Sequence, residues 1–254
     1  MTRVILTGAL GRMGRMIAGE IASDESLSVT GCVEAPGHPG VGTEVDGIRV
    51  VSSLEEIIED GDLVVDFTCP EAAMAHVAVC AAAGRPFVSG TTGLTEEQLE
   101  TAMDLSAKIP IMISPNMSAG VNLLFKIVQE VAAALPDFDA EIVEIHHNRK
   151  KDSPSGTATK LAANIASVHD SYNTVYGRKG FVGERPKNEI GMHSLRGGDV
   201  IGEHQVIFVG EGERFELTHR AHSRRTFARG TLRAIKFMAG QKPGFYSMKD
   251  VLGL

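Results

Sequence analysis

The chain has 254 residues and a formal net charge of −7, with 43% hydrophobic and 22% charged residues. This balance is typical of a globular protein with a sizeable core, and the length fits one large domain or two small ones. No apolar run approaches the ~20 residues of a membrane span and the N-terminus lacks a signal-peptide pattern, so we expect no membrane partner. Three cysteines without a CxxC pair favour a reducing cytoplasm.

Charge is distributed unevenly along the chain. Residues 1–140 carry 7 basic and 20 acidic side chains, a net charge of −13, whereas residues 141–254 carry 18 and 12, a net charge of +6. The second part therefore favours an anionic ligand. The alternative is that acidic surface helices simply dominate the first part.

Residues 1–117 alternate between strand-like and helix-like segments. Apolar runs predict strands over 4–7, 28–33, 63–67, 86–89 and 109–113, with helices after residue 14, over 54–58 and 72–83, and from residue 95. Strands and helices in alternation with short connections predict a parallel sheet covered on both faces. We expect an α/β protein whose first domain is built on such a sheet.

After about residue 118 the pattern changes. Helices are predicted over 119–135 and 155–168, strands over 140–147, 200–201, 205–209 and 215–219, and a long loop over 170–192. These segments predict an α+β domain with a mostly antiparallel or mixed sheet. The helix predicted over 227–238 and the tail after it return to the first domain, so we expect domains of residues 1–117 with 227–254 and of residues 118–226.

A glycine-rich loop follows the first predicted strand and opens the next helix. Its glycines, Gly8, Gly11 and Gly14, have GxxGxxG spacing rather than the commoner GxGxxG. Such a loop lets backbone approach a pyrophosphate at the positive end of a helix. The alternative is an ordinary turn. The predicted cofactor-binding residues of the loop are Gly8, Ala9, Leu10, Gly11, Arg12 and Met13.

An acid at the end of the second predicted strand strengthens the dinucleotide prediction. Glu34 lies 20 residues after Gly14, where a carboxylate accepts hydrogen bonds from the adenosine ribose. The next residues, Ala35 and Pro36, provide no arginine for a 2′-phosphate. NADH is therefore favoured over NADPH, unless Arg12 reaches that phosphate.

Two further loops follow predicted strands at their carboxyl ends, where ligands bind in open α/β sheets. We expect both to contribute to the nicotinamide side of the cofactor site, although each also fits an ordinary turn or helix cap. The residues concerned are Gly90, Thr91 and Thr92 in one loop and Ser114, Pro115, Asn116 and Met117 in the other.

The densest chemistry lies between residues 144 and 158. His146 and His147 end a strand, Lys150 follows, and Gly156 and Thr157 open a helix. Helix N–H groups, an ammonium and an imidazole together form a site for a carboxylate or a phosphate. A histidine or lysine there would also supply the proton that complements hydride delivery. The alternative is a solvated basic loop before a capped helix.

Two other ligand classes are disfavoured for this cluster. Adjacent strand residues such as His146 and His147 point to opposite faces, and no ligand set at metal-binding spacing accompanies them, so we expect no metal. The basic residues lack interleaved aromatic side chains and the net charge is negative, so we expect no nucleic acid partner.

Taken together, the motifs of the chain resemble those of the dihydrodipicolinate reductase family over almost its whole length. The similarity rests on the glycine loop and on segments 65–68, 90–93, 116–118, 144–158, 196–204 and 217–228. The element with two histidines before Ser155-Gly156-Thr157 is the most specific of these. The glycine loop is shared with many dehydrogenases.

The resemblance implies a Rossmann-like dinucleotide-binding domain with an α+β substrate and oligomerisation domain, and it also implies a reaction and residue roles. The reaction would be NADH- or NADPH-dependent reduction of 4-hydroxy-tetrahydrodipicolinate to tetrahydrodipicolinate in diaminopimelate and lysine biosynthesis. His146 would be the general acid/base and Lys150 the proton donor, while His147, Lys150, Gly156 and Thr157 would hold the substrate carboxylates. The second domain would also form a homotetramer.

One departure from the family pattern bears on the cofactor. Many members have an arginine after the acid that matches Glu34, whereas Ala35 occupies that position here. Two other hypotheses remain open from sequence: a dehydrogenase acting on a sugar or an amino-acid semialdehyde, and a non-catalytic NAD-sensing module with a macromolecular partner.

Overall fold

The protein folds into two compact units, according to a computed structural model that describes residues 1–169 and 172–254. The first unit comprises Met1–Ser118 and Arg225–Leu254, and the second comprises Ala119–Arg224. The chain therefore leaves the first unit once and re-enters it once.

The first part of the first unit alternates strands and helices. Its elements are β1 (Thr2–Thr7), α1 (Arg12–Ile21), β2 (Leu27–Val33), β3 (Glu44–Val45), β4 (Ile48–Val51), β5 (Leu63–Asp66), α2 (Pro70–Ala83), β6 (Phe87–Ser89), α3 (Glu96–Leu105) and β7 (Pro110–Ile113). The second unit then contains α4 (Ala119–Ala134), β8 (Asp139–His146), α5 (Gly156–Ala166), β9 (Asn173–Tyr176), β10 (Glu189–Arg196), β11 (Gly202–Val209) and β12 (Arg214–Ala221). The chain ends with α6 (Arg225–Met238), β13 (Gly244–Tyr246) and α7 (Met248–Leu252).

The sheet of the first unit has the strand order β13-β7-β6-β5-β1-β2-β4-β3. All neighbours are parallel except the terminal pair of β3 and β4. Central strands such as β5 are buried on both faces, which is why they are continuous apolar runs in the sequence. The predicted Rossmann-like parallel sheet is confirmed.

The helix ends of this unit follow from local sequence. Pro70 opens α2, and Gly84 closes it in the left-handed conformation at a φ of 69°. Thr95 and Gln98 form a capping box at the start of α3. The helix predicted over 54–58 is wrong, since only a single 3₁₀ turn forms there, over Ile58–Asp60.

The second unit contains a five-stranded mixed sheet in the order β12-β11-β8-β10-β9. β8 is parallel to β10 and antiparallel to β11, so the predicted mixed sheet is confirmed. Alternate residues of β8, β10 and β11 pack on α4 and α5 in a core that includes Ile142, Met192 and Phe208. The opposite face, called the open face below, carries half-buried or exposed apolar side chains: Val143, Ile145, Leu195, Ile207 and Val209.

Two segment predictions in this unit are wrong in part. The loop predicted over 170–192 holds over 177–188, but β9 and the first half of β10 lie in its two ends, and residues 170 and 171 lie outside the described residues. The strand predicted over 200–201 precedes β11, which begins at Gly202. The start of β10 was hard to recognise because it is a buried acid, Glu189, whose charge is paired with Arg178 of the preceding loop.

The last segment completes the first unit. α6 packs against α1, and its Arg225 and Arg229 both pair with Glu20 of that helix, at 2.6 and 3.3 Å. β13 adds a parallel edge strand beside β7. No helix among residues 1–169 and 172–254 combines the length and the apolar character needed to cross a membrane.

Candidate functional site

The glycine loop lies directly against the end of β5 and the start of α1. Gly8 has a φ of 70°, and a Cβ on it would lie 2.3 Å from the carbonyl oxygen of Phe67. A Cβ on Gly14 would lie 2.3 Å from the carbonyl oxygen of Gly8. Both glycines are thus required by close backbone contact. In the described part of the chain no side chain caps α1 at Gly11, so its first N–H groups can receive an anion.

The acid predicted to bind ribose meets this loop. The Oε1 atom of Glu34 accepts a hydrogen bond of 2.6 Å from the N–H of Leu10. The N–H groups of Gly8 and Ala9 donate to the carbonyl of Val33 at the end of β2. The loop is therefore fixed to β2, and the Glu34 carboxylate lies beside it. Ala35 is exposed.

A pocket of about 450 Å³ opens at the carboxyl ends of the strands in the first unit. Ten of the residues predicted to bind cofactor line it: Gly11, Arg12, Met13, Gly90, Thr91, Thr92, Ser114, Pro115, Asn116 and Met117. Gly8, Ala9, Leu10 and Glu34 lie outside that lining. Sequence reasoning missed the remaining lining residues, Phe67, Thr68 and Phe227.

One wall of this pocket is formed by residues 114–117. It is held in place by its own hydrogen bonds and by α6. The Ser114 hydroxyl donates to the carbonyl of Asn116, and the N–H of Ser118 donates to the Asn116 side chain, both at 2.9 Å. Gly230 of α6 lies against Met117, since a Cβ there would be 1.7 Å from the Met117 carbonyl oxygen. The wall is therefore a preformed surface of the first unit.

The second unit places His146 against a completely buried carboxylate. Nδ1 of His146 lies 2.5 Å from Oε2 of Glu144, and both nitrogens at the tip of Arg196 donate to the same carboxylate at 2.8 and 2.9 Å. Because a carboxylate only accepts, Nδ1 of His146 carries a proton. Nε2 is then the ring nitrogen that can bind or release a proton.

The environment changes the pKa values of both partners. Burial lowers the pKa of His146, although Glu144 raises it in part, and the nearby charges of Lys150 and Arg196 lower it further. Burial alone raises the pKa of Glu144, but the hydrogen bonds from Arg196 and His146 outweigh burial and lower it to about 2. Glu144 therefore remains ionised beside the imidazole at neutral pH.

The turn after β8 brings cationic groups to this site. The ammonium of Lys150 donates to both oxygens of Asp152, at 2.8 and 2.7 Å, and only 19% of its side chain is exposed. Burial lowers the pKa of His147, and the positive charge of Arg224 lowers it further. Backbone bonds fix the turn, since the N–H of His147 donates to the carbonyl of Val200.

The helix start joins the same network. Ser155 caps α5 by accepting from the N–H of Ala158, and its own N–H donates to Oε1 of Glu144 at 3.1 Å. Gly156 and Thr157 form the first turn, where N–H groups and the helix dipole attract an anion. Glu144 therefore fixes both the imidazole and the helix start. The structure brings all five residues predicted to act on substrate, His146, His147, Lys150, Gly156 and Thr157, to one end of the second unit.

Sequence reasoning predicted a helix start at Ser155 but did not include four supporting residues among the site residues: Glu144, Ser155, Arg196 and His204. Ser155 lies 3.0 Å from Nε2 of His204, a buried imidazole whose pKa burial lowers to about 3. For Glu144 the sequence did contain a signal. Glu144 precedes His146 by two residues on the same strand, so the two side chains must lie on the same face of the sheet. Within the described residues, no group of three or more His, Cys, Asp and Glu side chains is arranged to hold a metal ion.

Comparisons with known proteins agree over the whole chain. The family model for the N-terminus of dihydrodipicolinate reductase matches residues 2–117, and the model for its C-terminus matches residues 120–252. The chain is 45% identical to the 4-hydroxy-tetrahydrodipicolinate reductase of Citrifermentans bemidjiense, covering 100% of both chains. It is 48% identical to that of an Anaeromyxobacter species, covering 100% of this chain and 98% of the relative.

A solved structure gives the same result. The dipicolinate-bound dihydrodipicolinate reductase from Paenisporosarcina sp. TG-14 superposes with a TM-score of 0.82 and 28% identity, covering 97% of each chain. A NAD complex of a gentamicin-biosynthesis protein shares the fold alone, with a TM-score of 0.64 and 14% identity. The resemblance seen in the motifs is therefore confirmed, and the chain belongs to the dihydrodipicolinate reductase family.

Proposed function

We propose that the protein reduces 4-hydroxy-tetrahydrodipicolinate to tetrahydrodipicolinate with a nicotinamide dinucleotide, in diaminopimelate and lysine biosynthesis. The observation that carries this proposal is the second unit's site, where His146 sits on the ionised Glu144 beside Lys150 and the start of α5. That arrangement offers proton donors and an anion site together, which a dicarboxylate with a reducible C=N or C=C bond requires.

The first unit is the proposed dinucleotide-binding domain. The uncapped start of α1 fits a pyrophosphate, and the close backbone contacts of Gly8 and Gly14 hold the loop against that helix start. We assign the pyrophosphate to residues 8–13, the adenosine ribose to Glu34, and the nicotinamide side to residues 90–92 and 114–117. A bound reduced nicotinamide supplies a hydride.

The second unit is the proposed substrate and oligomerisation domain. Lys150 donates the proton that complements the hydride, and His146 exchanges a proton at Nε2 as general acid/base. His147, Lys150, Gly156 and Thr157 hold the carboxylates. A substrate carboxylate would compete with Asp152 for the Lys150 ammonium, because the two anions use the same donor atom.

The decisive experiment compares three variants by the decrease in NADH absorbance with freshly generated substrate. Lys150→Ala and His146→Ala should each lower kcat by about 100-fold or more while NADH affinity stays nearly unchanged, as expected when proton transfer is lost. Lys151→Ala is the matched control, because Lys151 is exposed and adjacent in sequence. Parent-like turnover in either of the first two variants would refute the assigned roles.

We further propose that NADH is preferred to NADPH. Glu34 lies beside the glycine loop and the next residue, Ala35, has no charge to offset the repulsion of a 2′-phosphate. Ala35→Arg should therefore raise kcat/KM for NADPH relative to NADH by about 10-fold, equivalent to roughly 1.4 kcal/mol. An unchanged ratio would show that discrimination occurs elsewhere.

We propose a homotetramer built from second units. The open sheet face carries an apolar stripe formed by Val143, Ile145, Leu195, Ile207 and Val209, and second copies of this chain are its proposed occupants.

We propose that the protein works in the cytoplasm, which is consistent with its three cysteines, all of which are free thiols. Cell fractionation tests that location.

A further inference from the structure

Asp66 is a completely buried carboxylate at the carboxyl end of β5. Five side chains donate to it, from the ends of β1, β5 and β6 and from α2. Oδ2 accepts from Thr7 at 2.7 Å, Thr68 at 2.9 Å and Nδ1 of His76 at 2.8 Å, and Oδ1 accepts from Ser89 at 3.1 Å and Thr91 at 2.6 Å. Pairing of a strand with its neighbours uses backbone groups and requires none of these five side-chain donors.

The donors keep Asp66 ionised. Burial alone raises the pKa of Asp66, but the hydrogen bonds from His76, Thr91 and Thr7 outweigh burial, so the pKa is lowered. An ionised carboxylate accepts and never donates. Every hydroxyl bound to it therefore directs its hydrogen towards Asp66, and the orientation of these rotors is fixed.

This orientation has different consequences for the two threonines that line the cofactor pocket. The Thr91 hydroxyl gives its hydrogen to Asp66 and accepts from the N–H of Thr68 at 2.9 Å, so it serves mainly to position Thr68. The Thr68 hydroxyl also gives its hydrogen to Asp66, with the Cys69 carbonyl as a weaker alternative at 3.3 Å. Only its oxygen lone pairs remain for a ligand, so Thr68 presents an acceptor and selects a donor.

We propose that Asp66 is a positioning residue that makes the Thr68 hydroxyl a hydrogen-bond acceptor for the carboxamide NH₂ group of the nicotinamide. The inference rests on the proposed dinucleotide cofactor. Thr68 lines the pocket together with residues 90–92 and 114–117, whereas Glu34, the proposed adenosine ligand, lies outside that lining. The carboxamide is the donor group of the nicotinamide ring itself.

The test uses the reduced acetylpyridine analogue of NADH, in which a methyl ketone replaces the carboxamide and the NH₂ donor is lost. Dissociation constants for NADH, the analogue and ADP-ribose are measured by calorimetry without substrate. The parent should bind NADH about 3- to 10-fold more tightly than the analogue, the effect of one hydrogen bond. Thr68→Val should abolish that preference and Thr68→Ser should retain it, with ADP-ribose binding unchanged in both.

Asp66→Asn tests the positioning role. Its amide donates as well as accepts, which frees a threonine hydrogen to turn towards the ligand, so the preference for NADH over the analogue should fall. Asp62→Asn is the matched control, since Asp62 precedes the same strand and pairs with Arg3 on the surface. A merely structural Asp66 would weaken all three ligands together and leave the ratio unchanged.

The outcomes separate the two proposals. A Thr68→Val protein that still prefers NADH over the analogue overturns the inference while the cofactor proposal stands. A parent that binds neither ADP-ribose nor NADH overturns the cofactor proposal itself. If Asp66→Asn does not fold, the comparison of Thr68→Val with Thr68→Ser still decides the role of the hydroxyl.

Discussion

Glu144 lies between the imidazole of His146 and the guanidinium of Arg196, and it also receives the N–H at the start of α5. One buried anion therefore fixes the tautomer of the proposed acid/base and the position of the proposed carboxylate site. Its full burial means that the charge is not screened by water. The electrostatics of the site thus depend on a carboxylate that is completely buried within the protein.

Glu144→Gln should shift the pH dependence of the reaction. Glu144 raises the pKa of His146 against the effect of burial, so removing its charge lowers that pKa further. The limb of the kcat/KM profile that belongs to His146 should move towards lower pH by roughly 0.5 to 1 unit, whichever direction the proton travels. Glu203→Gln, on the neighbouring β11, is the control and should leave the limb in place. An unmoved limb in Glu144→Gln would contradict the coupling.

At this scale, the sequence identified residues that bear chemistry and missed those that orient them. His146, Lys150 and Gly156 stand in a compact local motif, so their proximity was readable. Arg196 reaches Glu144 only because β10 pairs with β8 in a register that sets Arg196 opposite His146. That register is a long-range property, and no local pattern predicts it.

Among the elements, α1 contains two glycines with different surroundings. Gly14 and Gly19 lie on the same helix, but only Gly14 faces the loop. A Cβ on Gly14 would overlap the carbonyl oxygens of Gly8 and Ala9, at 2.3 and 2.6 Å, whereas a Cβ on Gly19 would meet nothing within 4 Å. The two glycines therefore have opposite expected responses to alanine.

Gly14→Ala should force α1 away from the loop, lowering both NADH affinity, by about 10-fold or more, and stability. Gly19→Ala should leave NADH affinity unchanged and raise stability by about 0.5–1 kcal/mol, the helix-propensity difference between the residues. Calorimetric NADH titration and urea unfolding measure both effects. Equal responses of the two variants would show that the loop tolerates a side chain at Gly14.

Elements with a clear period or an end signal were predictable, and elements defined by their partners were not. β5, α2 and the start of α3 follow from an apolar run, a terminal glycine and a capping box. β13 has three residues and is a strand only because β7 offers an edge. β3 and β4 are similarly short. Their pairing with each other makes them strands, whereas their composition does not indicate a strand.

For the whole molecule, the mixed sheet of the second unit offers the clearest assembly surface. Leu195 is 44% exposed on its open face, so a polar residue there costs the single chain little. Leu195→Asp should convert the proposed tetramer into smaller species, measured as molar mass by light scattering. Met103→Asp is the control, since Met103 is 55% exposed on α3 of the other unit. A Leu195→Asp protein with the mass of a tetrameric parent, or a monomeric parent, would contradict the proposed interface.

The return of the chain to its first unit has a consequence for biosynthesis. α6 and α7 supply Ala234, Ile235, Met238 and Met248 to the core over the central strands, and Phe227 lines the pocket. These residues are translated after the whole of the second unit. The inserted unit can therefore fold first, while the core that α6 and α7 complete in the first unit is still unfinished. The glycine loop is translated before the second unit, but the proposed dinucleotide pocket is completed only after it.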